Sequence, residues 1–379
     1  MQILVINAGS SSLKLALFQG ERLRLRIHIG GLEASPWVRW GEQPRTELPG
    51  ISDHHQALRW VLERLRADGL SPDAAGHRIV HGGVHFHAPR RLDDDTLAAL
   101  ERLIPLAPLH QPHNLAAVRA LARLYPRLPQ VACFDTAFHH TQPEPAQRYA
   151  LPREWHERGL RAYGFHGLAY ESVLAALRRH SDPLPPRLIL AHLGAGASLC
   201  AVRDGRSQAT TMGLTPLDGV PMATRPGHLD PGAVPFLLHQ GLDLEAVERL
   251  LYHHSGWLGV SGISSDMRRL LSSDDPRAAE AVTLFCYRVV REIGSLAAAL
   301  GGVDALVFSG GVGENAATVR ARILDGCRWL GFQLDPDANA RHGPRITGEG
   351  LPAWVIPSDE ETLIARETQR LLLQGGTPS

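Results

Sequence analysis

Along the chain, short apolar runs alternate with glycine- and serine-rich interruptions, and two of these alternations share one shape. Ile3-Leu4-Val5-Ile6 and Leu13-Lys14-Leu15-Ala16-Leu17 flank Gly9-Ser10-Ser11-Ser12, so residues 2–18 read as strand, small-residue turn, strand. Leu188-Ile189-Leu190-Ala191-His192-Leu193 and Ser198-Leu199-Cys200-Ala201-Val202 flank Gly194-Ala195-Gly196-Ala197 in the same way over residues 188–202. Gly9 matches Gly194 and Gly20 matches Gly205 at one offset of 185 residues, which implies two copies of one supersecondary unit. Each half is therefore expected to open on a glycine hairpin whose backbone N–H groups can face phosphate.

Between the hairpins, helical spacing occurs at 54–67, 94–104 and 114–125, with Leu58, Val61, Leu62 and Leu65 on one apolar face. Strand patterns run from Ala74 to His81, ahead of Gly82-Gly83, and from Gln130 to Phe134, ending at Asp135. Farther on, Val282, Phe285, Val289, Ile293, Leu296 and Leu300 mark a long helix that Gly301-Gly302 stop. A strand at Ala305-Leu306-Val307-Phe308, a glycine turn over 309–315 and another helical segment follow. The last helix is expected to start with Ser358 as N-cap and Glu361 closing a capping box, which leaves Glu360 to point elsewhere. Strands alternating with helices specify an α/β fold with largely parallel central pairing. The stretch containing Pro143, Pro145 and Pro152 is the expected crossing between two domains.

Composition narrows the function. With 39 basic and 39 acidic residues the formal net charge is zero, so no overall field favours nucleic acid or an anionic membrane. No apolar stretch approaches the ~20 residues that span a bilayer, and the N-terminus lacks the basic region of a signal peptide. Cys133, Cys200, Cys286 and Cys327 are far apart, as expected for a cytoplasmic protein without zinc or disulfides. Among twenty histidines, the pairs His54-His55 and His253-His254 are adjacent in sequence and do not face one site, so they read as surface or core residues. Only one of the 39 basic residues is lysine, and Lys14 stands in the first hairpin. A mobile point charge placed there suits a phosphate ligand.

The remaining polar candidates sit at strand ends or in glycine- and proline-punctuated segments: Arg78 in 77–83, Asp135 in 134–139, His166 in 163–167 and Arg225 in 222–227. Taken singly, each arginine could be a surface ion pair and His166 a core histidine. Together with Lys14 and three glycine turns they favour phosphoryl transfer, where catalysis is mostly positioning and charge neutralisation. The GGxG spacing at 310–313 is not the GxGxxG of a dinucleotide fold, and no GxxxxGK[ST] is present.

The motifs at 7–14, 77–83, 106–110, 134–139, 163–167, 192–198, 261–268, 310–315 and 359–361 occur in the order seen in the acetate kinase family. The resemblance covers nearly the whole chain. It implies the acetate and sugar kinase/Hsp70/actin (ASKHA) fold: α/β, with two duplicated RNase H-like domains and an interdomain cleft. The domains would be 1–137 plus 358–379, with the N-terminal phosphate hairpin and C-terminal helix, and 138–357, with the second hairpin and an adenosine-binding loop. The implied activity is reversible transfer between ATP plus acetate and ADP plus acetyl phosphate, in a homodimer using Mg²⁺, with Mn²⁺ as a substitute.

Position by position, the resemblance implies that Asn7 and Glu360 help hold the metal and that Ser10, Ser12 and Lys14 approach the phosphates. Arg78 and Arg225 would bind the carboxylate and the transferring phosphoryl, Asp135 would orient groups or handle a proton, and His166 would hydrogen-bond the transition state. His192, Leu193, Gly194, Ala195 and Gly196, then Asp266, Met267 and Arg268, then Gly311, Val312, Gly313, Glu314 and Asn315 would surround ATP. Val80, Leu109, Phe165 and Pro216 would line a small methyl pocket. The chain departs from the family pattern where Ala195 replaces an asparagine, where Gly227-His228 replaces Gly-Asp, where Leu168-Ala169-Tyr170 replaces Thr-Ser-His, and where Tyr252 replaces an asparagine. These departures bear on donor preference. A propionate or butyrate kinase, and a catalytically silent nucleotide-responsive protein, are the competing expectations.

Overall fold

The computed structural model describes residues 1–32 and 34–374, so the end of the range 358–379 assigned above to the first domain lies outside the described residues. The chain divides into two compact units, Met1–Phe138 joined by the segment that begins at Asp359, and His139–Ser358. The first change of unit falls upstream of the proline-rich stretch, within the 3₁₀ turn Ala137–Thr141 that continues directly from a buried strand.

The sheet of the first unit is built on β1 (Gln2–Ala8), β2 (Ser12–Gln19), β3 (Arg22–Gly30), β4 (Trp37–Trp40), β5 (Thr46–Glu47), β6 (Ala74–Ile79), β7 (Arg90–Arg91) and β8 (Gln130–Phe134). Their order is β5-β4-β3-β2-β1-β6-β8-β7, an antiparallel meander up to β1 followed by parallel β1, β6 and β8. Alternate residues of β1 and β2, including Leu4, Ile6, Leu13 and Leu15, share a core with Leu58, Val61, Leu65 and Leu121 of the helices His54–Ala67 and Gln111–Leu124. The last helix, Glu360–Gln374, packs against β1 and β6. Gly76 permits that approach, since a Cβ there would lie 2.4 Å from Thr368 Oγ1.

The second unit contains β9 (Arg187–Leu193), β10 (Ala197–Arg203), β11 (Arg206–Thr210), β12 (Ala305–Ser309) and β13 (Ala353–Val355), in the order β11-β10-β9-β12-β13. This repeats β3-β2-β1-β6-β8: an antiparallel three-strand meander whose first strand then takes two parallel neighbours. The register repeats as well. Ile3 pairs with Ala74 and Leu188, 185 positions later, pairs with Ala305. The duplication read from two glycines is thus a duplication of the whole sheet core.

Local expectations hold with three corrections. The long helix runs Pro276–Leu300, capped by Asp275 and ended by Gly301 at φ 67°. The helix expected over 94–104 ends at Glu101, with a 3₁₀ turn over Ile104–Leu106, where Pro105 has no N–H for the helical ladder. The glycine turn is a short helix, Gly310–Asn315, because Glu314 Oε1 accepts from Gly310 N at 2.9 Å and Asn315 Nδ2 donates to Gly311 O. The capping box does not form. Asp359, not Ser358, accepts from Thr362 N at 3.1 Å, and Glu361 instead pairs with Arg26 at 2.8 Å.

Candidate active site

In the first unit the C-terminal ends of β1, β6 and β8, with the start of the last helix, bring four of the expected residues together. Arg78 follows the parallel-paired His77 and forks onto Asp135, with Nε to Oδ1 at 3.1 Å and Nη2 to Oδ2 at 2.5 Å. Its Nη1 donates to Asn7 Oδ1 at 3.3 Å, and Glu360 Oε2 lies 3.5 Å from Nε. Asp135 is only 1% exposed. Burial works against the Arg78 charge, but Asp135 and Glu360 outweigh it and raise the guanidinium pKa above its ordinary value. Glu360 is positioned by the corrected cap at Asp359, one residue before it.

Lys14 is the direct cross-strand partner of Asn7, so both side chains leave the same face of the sheet. It is exposed and lines a cavity of 560 Å³ with Arg26, His28, Arg39 and Glu361. Ser10 and Ser12 flank it in a turn closed by Gly9 N donating to Ser12 O at 2.9 Å. Val80 is buried, whereas Leu109 is 42% exposed.

Two buried amides that the sequence reading did not single out hold these strand ends. Asn114 Nδ2 donates to Ala8 O at 2.7 Å while its Oδ1 accepts from Val80 N at 3.0 Å. Gln111 accepts from His81 N and donates to His81 O. The available signal was polar amides at i and i+3 facing an otherwise apolar helix surface.

In the second unit His192 and Ser309 occupy the positions that match Asn7 and Arg78, with His192 Nδ1 3.2 Å from Ser309 Oγ. His166 adopts φ 60° immediately before the helix Gly167–Leu177. Its Nδ1 meets Ser198 Oγ at 2.8 Å, and its ring lies 4.8 Å from that of His192. A Cβ on Gly196 would stand 3.1 Å from Arg225 Nη2 and 3.4 Å from His166 Nε2, so both nitrogens converge on the second glycine turn. Arg225 donates to Pro216 O at 2.8 Å. Among the described residues no carboxylate pairs with it, and burial lowers its pKa, with Tyr252 opposing. A half-buried cation in that state is suited to an anionic ligand. Phe165 and Pro216 are buried beside this group.

Gly194, Ala195, Asp266, Met267, Arg268, Gly311, Val312 and Asn315 line a cavity of 690 Å³ floored by the buried Trp257. Leu193 is buried in β9 at its margin. Asp266 caps the helix Met267–Leu271 and holds Arg268 in a fork; those bonds hold its pKa down to about 2. Gly313 and Glu314 contribute backbone rather than lining. Both carbonyls accept from the fully buried Arg320, which also reaches Asn339 Oδ1 at 2.8 Å. Arg320 is a third residue the sequence reading missed, visible only as a charge beside the apolar positions Val319 and Ile323.

The oxygen donors of Asn7 and Glu360 suit Mg²⁺, which prefers one or two protein oxygens and takes its remaining ligands from water and phosphate. Among the described residues no group of three His, Cys, Asp or Glu side chains could hold a metal by itself.

A profile of the acetokinase family matches residues 2–366. An acetate kinase of Rhodopseudomonas palustris is 48% identical over 395 residues, covering 97% of this chain and 98% of that protein. An acetate kinase of Nitrobacter hamburgensis is 45% identical, covering 100% and 98%. Among solved structures, a propionate kinase from Francisella tularensis superposes with TM-score 0.92 at 34% identity, covering 97% and 99% of the two chains. Porphyromonas gingivalis acetate kinase gives TM-score 0.90 at 36% identity, covering 98% and 99%.

Proposed function

Because this chain belongs to the acetokinase family, we propose that it is an acetate kinase of ASKHA fold, reversibly transferring the γ-phosphoryl group of ATP to acetate. The observation that carries the reading is the pair of arginine settings: Arg78 locked by Asp135, and Arg225 half-buried without an acidic partner among the described residues. The first is a rigid fork for a carboxylate or phosphoryl oxygens, and the second is a cation that gains its counter-charge only when an anion binds.

Acetate is ionised at neutral pH, so its oxygen attacks the γ-phosphorus directly and no general base is needed. Asp135 orients Arg78, and His166 Nε2 together with Arg225 addresses the oxygens of the transferring group. Lys14, Ser10 and Ser12 approach the phosphates, and the 690 Å³ cavity takes the nucleoside. Asn7 and Glu360 would hold Mg²⁺, which supplies further charge neutralisation. The exposed Phe236, Leu238 and Leu244 of the second unit support a homodimer. The buried free thiols of Cys200, Cys286 and Cys327 support a cytoplasmic location.

Propionate is the second reading, favoured by the close superposition on a propionate kinase. One methylene in an apolar pocket changes specificity by only ~1–3 kcal/mol. The test is acyl phosphate formation from Mg·ATP with acetate, propionate and butyrate, trapped as hydroxamate, with Lys14→Arg alongside. Highest kcat/KM with acetate and a strong loss in the variant are expected. Preference for a longer acid would replace acetate in the proposal, and no acyl phosphate with any acid would overturn it.

A further inference from the structure

We propose that Arg320 is a positioning residue for the nucleotide: through the carbonyls of Gly313 and Glu314 it fixes the helix Gly310–Asn315, whose Gly311, Val312 and Asn315 line the 690 Å³ cavity. That the cavity takes a nucleotide rests on the function proposed above.

A guanidinium carries five N–H hydrogens in a rigid planar fork. In Arg320 every one of them has an acceptor. Nη1 donates to Gly313 O at 2.8 Å and to Glu314 O at 2.9 Å, Nε to Asn339 Oδ1 at 2.8 Å, and Nη2 to Asn339 O at 2.8 Å and His342 Nδ1 at 3.1 Å. Gly313 and Glu314 stand in the last turn of a six-residue helix, where carbonyls have no partner in the helix's own ladder. Arg320 lies on the next helix, Ala317–Gly326, and Asn339 on another, Pro336–Ala340, which Asn339 Nδ2 ties back to Ala317 O at 2.9 Å. One side chain therefore joins three helices, and only the first of them supplies lining residues to the cavity.

None of the five acceptors is a carboxylate, and the side chain is fully buried. Burial lowers its pKa to about 10, which leaves it a cation at neutral pH. An apolar side chain would avoid the cost of burying that charge. What an apolar chain cannot supply is direction. Helices shorter than about 12 residues do not hold their own shape, so this one takes its shape from what clamps its two ends. Glu314 Oε1 clamps the first, accepting from Gly310 N at 2.9 Å and Ser358 N at 3.3 Å, and Arg320 Nη1 clamps the last. Lysine is no substitute: its three hydrogens share one nitrogen, whereas these acceptors lie around a planar fork on separate elements.

The experiment compares wild type with Arg320→Lys and Asn339→Ala by calorimetric Kd for MgADP, by kcat and KM for ATP and for acetate, and by melting temperature. The first variant keeps the charge and loses the fork; the second keeps both carbonyl bonds and loses their anchor. Expected are a roughly ten-fold rise in Kd for MgADP and KM for ATP in Arg320→Lys and a roughly three-fold rise in Asn339→Ala, with kcat and KM for acetate within about two-fold of wild type. A lower melting temperature with unchanged Kd and KM would show that Arg320 only holds the fold, and equal losses on ATP and acetate would remove its tie to the nucleotide. Either result overturns the inference. If Arg320→Lys does not fold, Asn339→Ala decides, and an unchanged Kd there overturns it. MgADP binding by a wild type that forms no acyl phosphate would overturn the function proposed above while leaving the Kd comparison to decide this one; a wild type that binds no MgADP would overturn both.

Discussion

Arg78 and Arg225 carry the same charge in opposite settings, and the difference predicts different sensitivities. Arg78 is held by two carboxylates and an amide, so its geometry exists before any ligand arrives. Removing the Asp135 charge in Asp135→Asn leaves Glu360 as a weaker partner at 3.5 Å and frees the fork to turn. Breaking a buried pair costs ~3–5 kcal/mol, but asparagine keeps a hydrogen bond and Arg78 retains Glu360, so about 2 kcal/mol is expected in urea denaturation. Lost preorganisation should cost ~100-fold or more in kcat, with a smaller change in KM for ATP. Equal losses in kcat/KM and stability, with kcat unchanged, would show that Asp135 holds the fold rather than the reaction.

The elements that deliver these side chains depend on close backbone approaches, and there sequence reading had mixed success. Strand ends and glycine hairpins were legible because period-two apolar runs and small-residue turns are local signals. The capping box was misread because Asp359, Glu360 and Glu361 are equally plausible first-turn acids by spacing. Only tertiary structure shows Asp359 bonded to Thr362 while Glu361 reaches Arg26. Asn114 was missed because its partner Ala8 O lies 106 residues away, which no window contains, and Arg320 because the carbonyls it reaches, though six and seven residues back, belong to a different helix whose placement a periodic pattern does not give. Gly256 shows how such an approach can be tested. At φ 63° it opens the helix Gly256–Ser261, and a Cβ would lie 1.9 Å from Met222 O and 2.9 Å from Arg225 N. Gly256→Ala must therefore displace the Arg225 loop, with an expected activity loss of ~100-fold and destabilisation of about 3 kcal/mol. Wild-type kcat in a variant that melts normally would mean that the loop adjusts without moving the guanidinium.

At the scale of the molecule, one sheet core occurs twice and has been furnished differently. Asn7 and Arg78 stand in the first copy where His192 and Ser309 stand in the second. The offset of 185 residues made the repeat legible, but this exchange of side chains at matching positions needed the strand register. The two copies also share a liability. His77 and His81 in the first unit and His139 in the second are buried, and desolvation pulls each pKa from 6.5 to about 4, with hydrogen bonds to Gln130 and to Phe165 O partly opposing for His77 and His139. Their folded pKa values are depressed, so the unfolded chain binds more protons between pH 6.5 and about 4. Stability is fully present above pH 6.5 and is lost as pH falls through that window, by at most roughly 1.4 kcal/mol per pH unit for each histidine. The half-exposed Asp266 and Asp275 act lower, between pH 3.8 and about 2, and are screened by solvent. Urea midpoints should therefore drop steeply from pH 6.5 to 4.5, before ordinary carboxylates titrate, and His77→Gln should flatten that slope by one proton's share. A flat profile over this window, or His77 titrating near 6.5 in the folded protein, would mean that these sites admit enough water to carry the charge.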